Sequence, residues 1–216
     1  MSTNTTSVWR KKLKELEIVV VIPTYNNGKT LAAVIEEVCR YADDIIVVND
    51  GSTDDTANIL EQYPAIRTIT HPVNKGKGTA LKHGLSQAKK EGFRYAITID
   101  SDGQHFASDI PCFIEAIEKE PDTLLVGARN LASDNMPGKN TFANKFSNFW
   151  FRLETGLKLE DTQSGYRLYP LRKMDVQSCW YTAKYEFELE AIVFAAWGDV
   201  AVKNISIHVY YPPQAE

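Results

Sequence analysis

Short apolar runs recur along the chain, each closed by polar or turn-forming residues: IVVVI (18–22), DIIVVND (44–50), IRTIT (66–70), YAITID (95–100), TLLVGA (123–128) and VAVKNISIHVYY (200–211). Runs of this length, rich in Val, Ile and Thr, predict strands. Helical patterns lie between them. TLAAVIEEVCRY occupies 30–41, Ser52 with Asp55 has the spacing of a capping box opening a helix over 53–62, and 77–90 and 109–119 continue the alternation. Strand and helix in turn predict an α/β domain, a three-layer sandwich whose mostly parallel central sheet is flanked by helices and joined by right-handed crossovers. Upstream, Val8, Trp9, Leu13 and Leu16 form a stripe among Arg10, Lys11, Lys12 and Lys14. Residues 1–16 therefore read as a helical leader, either packed on the domain or lying at a membrane interface, and 17–216 as one domain.

In open parallel sheets ligands bind beyond the carboxyl ends of the strands, and the polar clusters of this chain fall there. PTYNN (23–27) follows the first strand, NDGS (49–52) the second, HPVNKGKG (71–78) the third, DSDGQH (100–105) the fourth and ARN (128–130) the fifth. Asp100, Asp102 and Gln104 stand at alternate positions, which share a face if the chain stays extended. Three oxygen-bearing side chains on one face make either a capped strand end or a site for a hard metal such as Mg²⁺ or Mn²⁺.

Bulk properties narrow the ligand. A formal net charge of −4 and the absence of a basic stripe argue against nucleic acid. Cys39, Cys112 and Cys179 are far apart, suggesting neither a disulfide framework nor a zinc site and fitting a reducing cytoplasm. There is no signal-peptide pattern, and no uncharged apolar run approaches the roughly 18 residues that span a bilayer. PTYNNGKT (23–30) nearly matches a phosphate-binding P-loop, but Pro23 replaces the first glycine, removing an N–H and fixing φ. A dinucleotide-binding G-x-G-x-x-G is missing after the first strand.

Tyr25 can instead lie against a base, and Asp50 can accept from base N–H or ribose hydroxyls. Lys75 and Lys77, in a glycine-bearing loop, suit phosphates or are simply solvated. A departing nucleoside diphosphate needs its charge stabilised, which a divalent ion on one or two carboxylates does. DTQSGYR (161–167) combines acid, amide, hydroxyl and arginine; it reads either as a ligand loop or as a turn with Arg167 paired at the surface. His105 has no role legible from the sequence.

The ordered motifs VVIPTYNN, VVNDGSTDDT, NKGKGTAL, TIDSDGQH, VGARN and DTQSGYRLYP, from about residue 17 to 213, resemble family 2 glycosyltransferases of the GT-A (Rossmann-like) fold, in the branch of dolichyl-phosphate and polyprenyl-phosphate sugar synthases. That resemblance implies a metal-dependent enzyme that moves a sugar, with inversion, from a nucleotide-diphospho-sugar to a polyprenyl phosphate. It implies Pro23, Tyr25, Asn27, Asp50, Lys77, Asp100 and Arg167 for the donor, with Lys77 or Arg167 helping the departing diphosphate. Asp100, Asp102 and Gln104 would hold the metal, Asp100 sharing it with the ribose side of the donor, and Arg129 would face the acceptor phosphate. A saccharide hydroxyl acceptor, as in cell-surface glycan synthesis, needs a base, and Asp161 is the candidate. A nucleotide-sugar binding module without turnover is the alternative outside enzyme chemistry.

Two departures from the family pattern matter. Asn27 stands where the synthases often have glutamate, which leaves the base open. Within 135–156 only Lys139, Asn140 or Lys145 aligns with a further lipid-phosphate arginine. Phe142, Phe146, Phe149, Trp150 and Leu153 follow helical spacing, as a core helix or a lipid-facing one. The expected location is the cytoplasm, with peripheral contact at the cytoplasmic face of a membrane.

Overall fold

A computed structural model describes residues 3–129, 156, 159–174, 182 and 186–210. The segment 135–156, with its aromatic stripe, Lys139, Asn140 and Lys145, lies outside the described residues except for Gly156. The strands are β1 (Ile18–Thr24), β2 (Ile45–Asn49), β3 (Arg67–Thr70), β4 (Tyr95–Thr98), β5 (Leu124–Arg129), β6 (Arg167–Pro170) and β7 (Val202–Ile207). The helices are α1 (Thr3–Glu15), α2 (Gly28–Cys39), α3 (Thr56–Glu61), α4 (Lys77–Lys90), α5 (Ile110–Lys119) and α6 (Glu186–Trp197), with a 3₁₀ turn at Ala107–Asp109 before α5.

The strands form one sheet in the order β3-β2-β1-β4-β6-β5-β7. β3, β2, β1 and β4 are mutually parallel, β7 is parallel to β5, and β6 runs antiparallel to both β4 and β5. β1 is central, and every residue of it is buried. Its alternate side chains therefore feed two cores. Ile18, Val20 and Ile22 join Leu31 and Ile35 of α2 and Phe113 of α5, while Val19 and Val21 join Leu81 and Leu85 of α4 and Ile192 of α6. Pro23 does not interrupt the ladder. It has the parity of Val21, whose carbonyl meets Ile99 on the β4 side, and β4 has ended at Thr98 before Pro23 needs a partner.

Two elements were not expected and one expectation is corrected. β6 was not among the expected strands and begins at Arg167, the last residue of the expected loop or turn 161–167; its four residues are all buried, as an inserted antiparallel strand requires. α6 also escapes pattern reading, because apolar residues circle it and leave no stripe at the helical period. The capping box fails as well. α3 starts only at Thr56, and Ser52 instead accepts the backbone N–H of Asn26 at 3.0 Å, tying the β2 end to the β1 end. Leu13 of α1 is buried in the core, with Trp9 and Leu16 packed against it, so much of the leader stripe is used inside the protein. No helix among the described residues is long and apolar enough to cross a membrane.

α4 lies unusually close to the sheet. A Cβ on Gly84 would come within 2.5 Å of Val21 Cγ1 and 3.1 Å of Val48 Cγ2. Gly84→Ala must push the helix away from β1 and β2, an overpacking cost of about 1–3 kcal/mol. Urea unfolding should show a lower midpoint with an unchanged slope.

Candidate active site

The β2 and β3 ends are joined by one carboxylate. Asp50, only 2 % exposed, accepts the backbone N–H of Lys75 on Oδ1 at 2.9 Å and that of Gly76 on Oδ2 at 2.7 Å. Gly51, with φ +70°, lets this chain pass beneath the same loop, since a Cβ there would lie 2.4 Å from the Val73 carbonyl carbon. Behind the carboxylate, His71 Nδ1 lies 2.6 Å from Asp50 Oδ1, and His71 Nε2 lies 2.7 Å from His83 Nδ1. The captured loop leads into α4, whose first residue is Lys77.

Lys77 Nζ reaches Asp100 Oδ1 at 2.7 Å and Glu188 Oε1 of α6 at 3.2 Å. Burial alone would lower the Lys77 pKa, but Asp100 and Glu188 outweigh it and hold the amine above its ordinary range. Burial likewise would raise the Asp100 carboxyl, and Lys77, His105 and Arg167 together bring it below the usual value. Both groups are therefore charged at neutral pH. Glu188 Oε1 is buried and meets Lys77 as an ion pair. Gly165 closes the floor of this cluster: its Cβ would lie 2.6 Å from Asp100 Oδ2, 2.8 Å from Glu188 Oε1 and 2.8 Å from Lys77 Nζ.

The DSDGQH segment is not extended beyond β4. Gly103 adopts φ +78°, and Asp102 Oδ1 turns back to accept the Gln104 N–H at 2.9 Å. Alternate positions therefore do not share a face here. Asp100 and Asp102 line a common cleft, and Gln104 is not among its lining residues. The turn is held from both sides. Thr30 Oγ1 donates to the Ser101 carbonyl at 2.6 Å and Asn27 Nδ2 donates to Ser101 Oγ at 2.8 Å. On the other side the Tyr210 N–H donates to the Gln104 carbonyl at 2.9 Å, and His105 bridges to Val209. Asp109, buried, anchors that C-terminal segment by accepting the His208 backbone N–H at 2.7 Å and its Nδ1 at 2.8 Å.

Arg167 is the clearest correction. It is neither surface-paired nor turned to a ligand: it is fully buried, and its guanidinium donates to the carbonyls of Ser164 at 2.7 Å, Thr162 at 2.9 Å and Glu188. It fixes the loop that carries Gly165. Asp161 is also fully buried, with Oδ1 accepting the Gln163 N–H at 2.9 Å, and it does not line the cleft. Arg129 ends β5 in register with Ile207.

The resulting cleft, of about 510 Å³, brings together Pro23, Tyr25, Asn27, Asp50, Lys77, Asp100 and Asp102 from the ends of β1, β2, β3 and β4. Tyr25 stands at its rim, 45 % exposed. The supporting contacts of Glu188, His71 and His83 were not legible in the sequence. Glu188 lies on a helix with no periodic signal, and the histidines lie 12 residues apart with no motif spacing to link them. Among the described residues no group of three His, Cys, Asp or Glu side chains is arranged to hold a metal. Asp100 and Asp102 nevertheless fit Mg²⁺ or Mn²⁺, which bind through one or two carboxylates and complete their shell with substrate oxygens and water. Lys77, which also lines the cleft, pairs with Asp100 and with Glu188 behind it.

Residues 19–176 match the family model described as glycosyl transferase family 2. The chain is 30 % identical to a UDP-N-acetylglucosamine–dolichyl-phosphate N-acetylglucosaminyltransferase of Methanococcus voltae, covering 90 % of this chain and 86 % of that protein. It is 27 % identical to a polyprenol monophosphomannose synthase of Mycolicibacterium smegmatis, covering 74 % of this chain and 64 % of that one. The fold is similar to glucosyl-3-phosphoglycerate synthase from Mycobacterium tuberculosis, solved with Mn²⁺ and UDP-glucose, with a TM-score of 0.71 at 20 % identity over 97 % of this chain and 76 % of that one.

Two outcomes test the supporting contacts. Arg167→Met should lower the unfolding free energy by about 3 kcal/mol or more in denaturant titration, because buried carbonyls lose their donor. Asp109 raises the His208 imidazole pKa above 6.5, chiefly through their hydrogen bond. A folded value above the unfolded one means that this contribution is complete below about pH 6.5 and lost as pH rises through the folded pKa. Amide exchange at Tyr210 should therefore speed up across that rise beyond its intrinsic dependence on pH, and Asp109→Asn should abolish the extra step.

Proposed function

Because this chain belongs to glycosyl transferase family 2, we propose that its cleft binds a nucleotide-diphospho-sugar and that the sugar passes, with inversion at the anomeric carbon, to a polyprenyl phosphate. The observation that carries this reading is the convergence of Asp100 and Asp102 with Lys77 and the N-terminus of α4 in one cleft. A lysine beside two carboxylates suits a diphosphate accompanied by a cation. Tyr25 at the rim offers a face for the base, and Asp50 an acceptor for the nucleoside. A bound Mg²⁺ or Mn²⁺ on Asp100 and Asp102 would supply charge neutralisation for the diphosphate. Lys77, held by Asp100 and Glu188, orients the phosphates.

The burial of Asp161 supports the phosphate acceptor over a saccharide hydroxyl. An ionised phosphate oxygen attacks without a base, whereas a hydroxyl needs one within hydrogen-bond reach, and Asp161 does not line the cleft. The dolichyl-phosphate and polyprenol enzymes among the similar proteins support the same acceptor class. Arg129, at the end of β5, is the residue we assign to the acceptor phosphate. Such an acceptor implies peripheral contact with a membrane.

A thermal-shift panel of UDP- and GDP-sugars with and without Mn²⁺ tests the donor. A ligand at about 100 times its dissociation constant adds roughly 2.7 kcal/mol to folded-state stability. We expect metal-dependent stabilisation by one nucleotide class, lost in Asp102→Asn. No such stabilisation in the wild type sinks the donor site. With the donor identified, undecaprenyl phosphate should yield a charged glycolipid; binding without that product would mark a nucleotide-sugar module instead.

A further inference from the structure

A hydrogen-bond chain runs back from Asp50 through His71 to His83. A carboxylate only accepts, so His71 Nδ1, 2.6 Å from Asp50 Oδ1, carries the proton. His71 Nε2 in turn lies 2.7 Å from His83 Nδ1, so the two rings share one hydrogen bond. Burial, and then His71 and Lys75, hold the His83 imidazole below its ordinary pKa, which keeps it neutral near pH 7. Asp50 and His71 are 2 % and 4 % exposed, whereas His83 stands on the exposed part of α4. The two rings meet edge to face, 4.7 Å between centroids. α4 comes near enough for this because its next residue is Gly84, which has no side chain to strike Val21.

Asp50 Oδ1 already serves His71 and the Lys75 N–H, while among the described residues Oδ2 serves the Gly76 N–H alone. A carboxylate has about four acceptor sites, so the remaining one is on Oδ2, and Asp50 lines the cleft. We propose that His83, acting through His71, is a positioning residue for nucleotide recognition: it fixes the imidazole that pins Oδ1 and so keeps Oδ2 presented to a donor group of the nucleoside. This rests on the reading of the cleft as the nucleotide site. His83 itself touches no substrate.

The full chain carrying His83→Ala, which removes the partner of His71 Nε2, is compared with His83→Asn, whose amide can donate or accept in the place of Nδ1. Titration with UDP and with GDP in Mn²⁺ should show affinity weakened about fivefold in His83→Ala, the scale of one net hydrogen bond, and restored in His83→Asn. The low-field imidazole proton of His71 should be sharp in wild type and His83→Asn and broadened by exchange in His83→Ala. Unchanged affinity in His83→Ala overturns the proposal, as does equal weakening in both variants, which would make His83 a packing residue. If neither nucleotide binds the wild type, the donor reading fails and the positioning role with it, and the imidazole proton alone then reports whether the chain Asp50–His71–His83 exists.

Discussion

The cleft depends on a single buried carboxylate. Asp50 takes two consecutive backbone amides, Lys75 and Gly76, at the point where the chain leaves β3 and starts α4. A buried carboxylate without partners is costly, so this capture locks the loop in one geometry. It thereby decides where α4 begins and which way Lys77 points. The close seating of α4 on β1 and β2, permitted at Gly84, holds the other end of the same lever.

Lys77 in turn organises the charges across the cleft. It stands between Asp100, from the end of β4, and Glu188, from a helix more than 80 residues further along the chain. Gly165 and Arg167 make that meeting possible in different ways. Gly165 leaves room for three charged groups to converge, and Arg167 satisfies the carbonyls of the loop carrying it as well as that of Glu188. A guanidinium suits this because its rigid fork presents several donors in fixed directions and remains charged when buried. Removing one partner of such a network leaves the others exposed to full desolvation costs, so these residues act together.

The acidic turn after β4 is held to the rest of the sheet by contacts on either side, α2 through Ser101 and the segment after β7 through Gln104 and Asp109. A change at the C-terminal segment therefore has a short physical route to Asp102. That matters for a transferase whose acceptor arrives from a membrane surface, as proposed.

The sequence by itself determined the α/β alternation, the position of β1 to β5 and the fact that polar clusters gather at strand ends, because these follow from local periodicity and from the short reach of turns. It also pointed to Tyr25, Asp50, Lys77, Asp100 and Asp102, whose residue types are uncommon at the ends of apolar strands, and the cleft unites them. Only the folded chain shows that Arg167 serves backbone carbonyls, that the acidic segment turns at Gly103, and that Glu188 pairs with Lys77 while His71 and His83 stand behind Asp50. β6 and α6 were illegible for a related reason. A strand of four residues inserted antiparallel, and a helix apolar on every face, carry no periodic signal, since what makes them stable is the neighbours that the rest of the chain supplies.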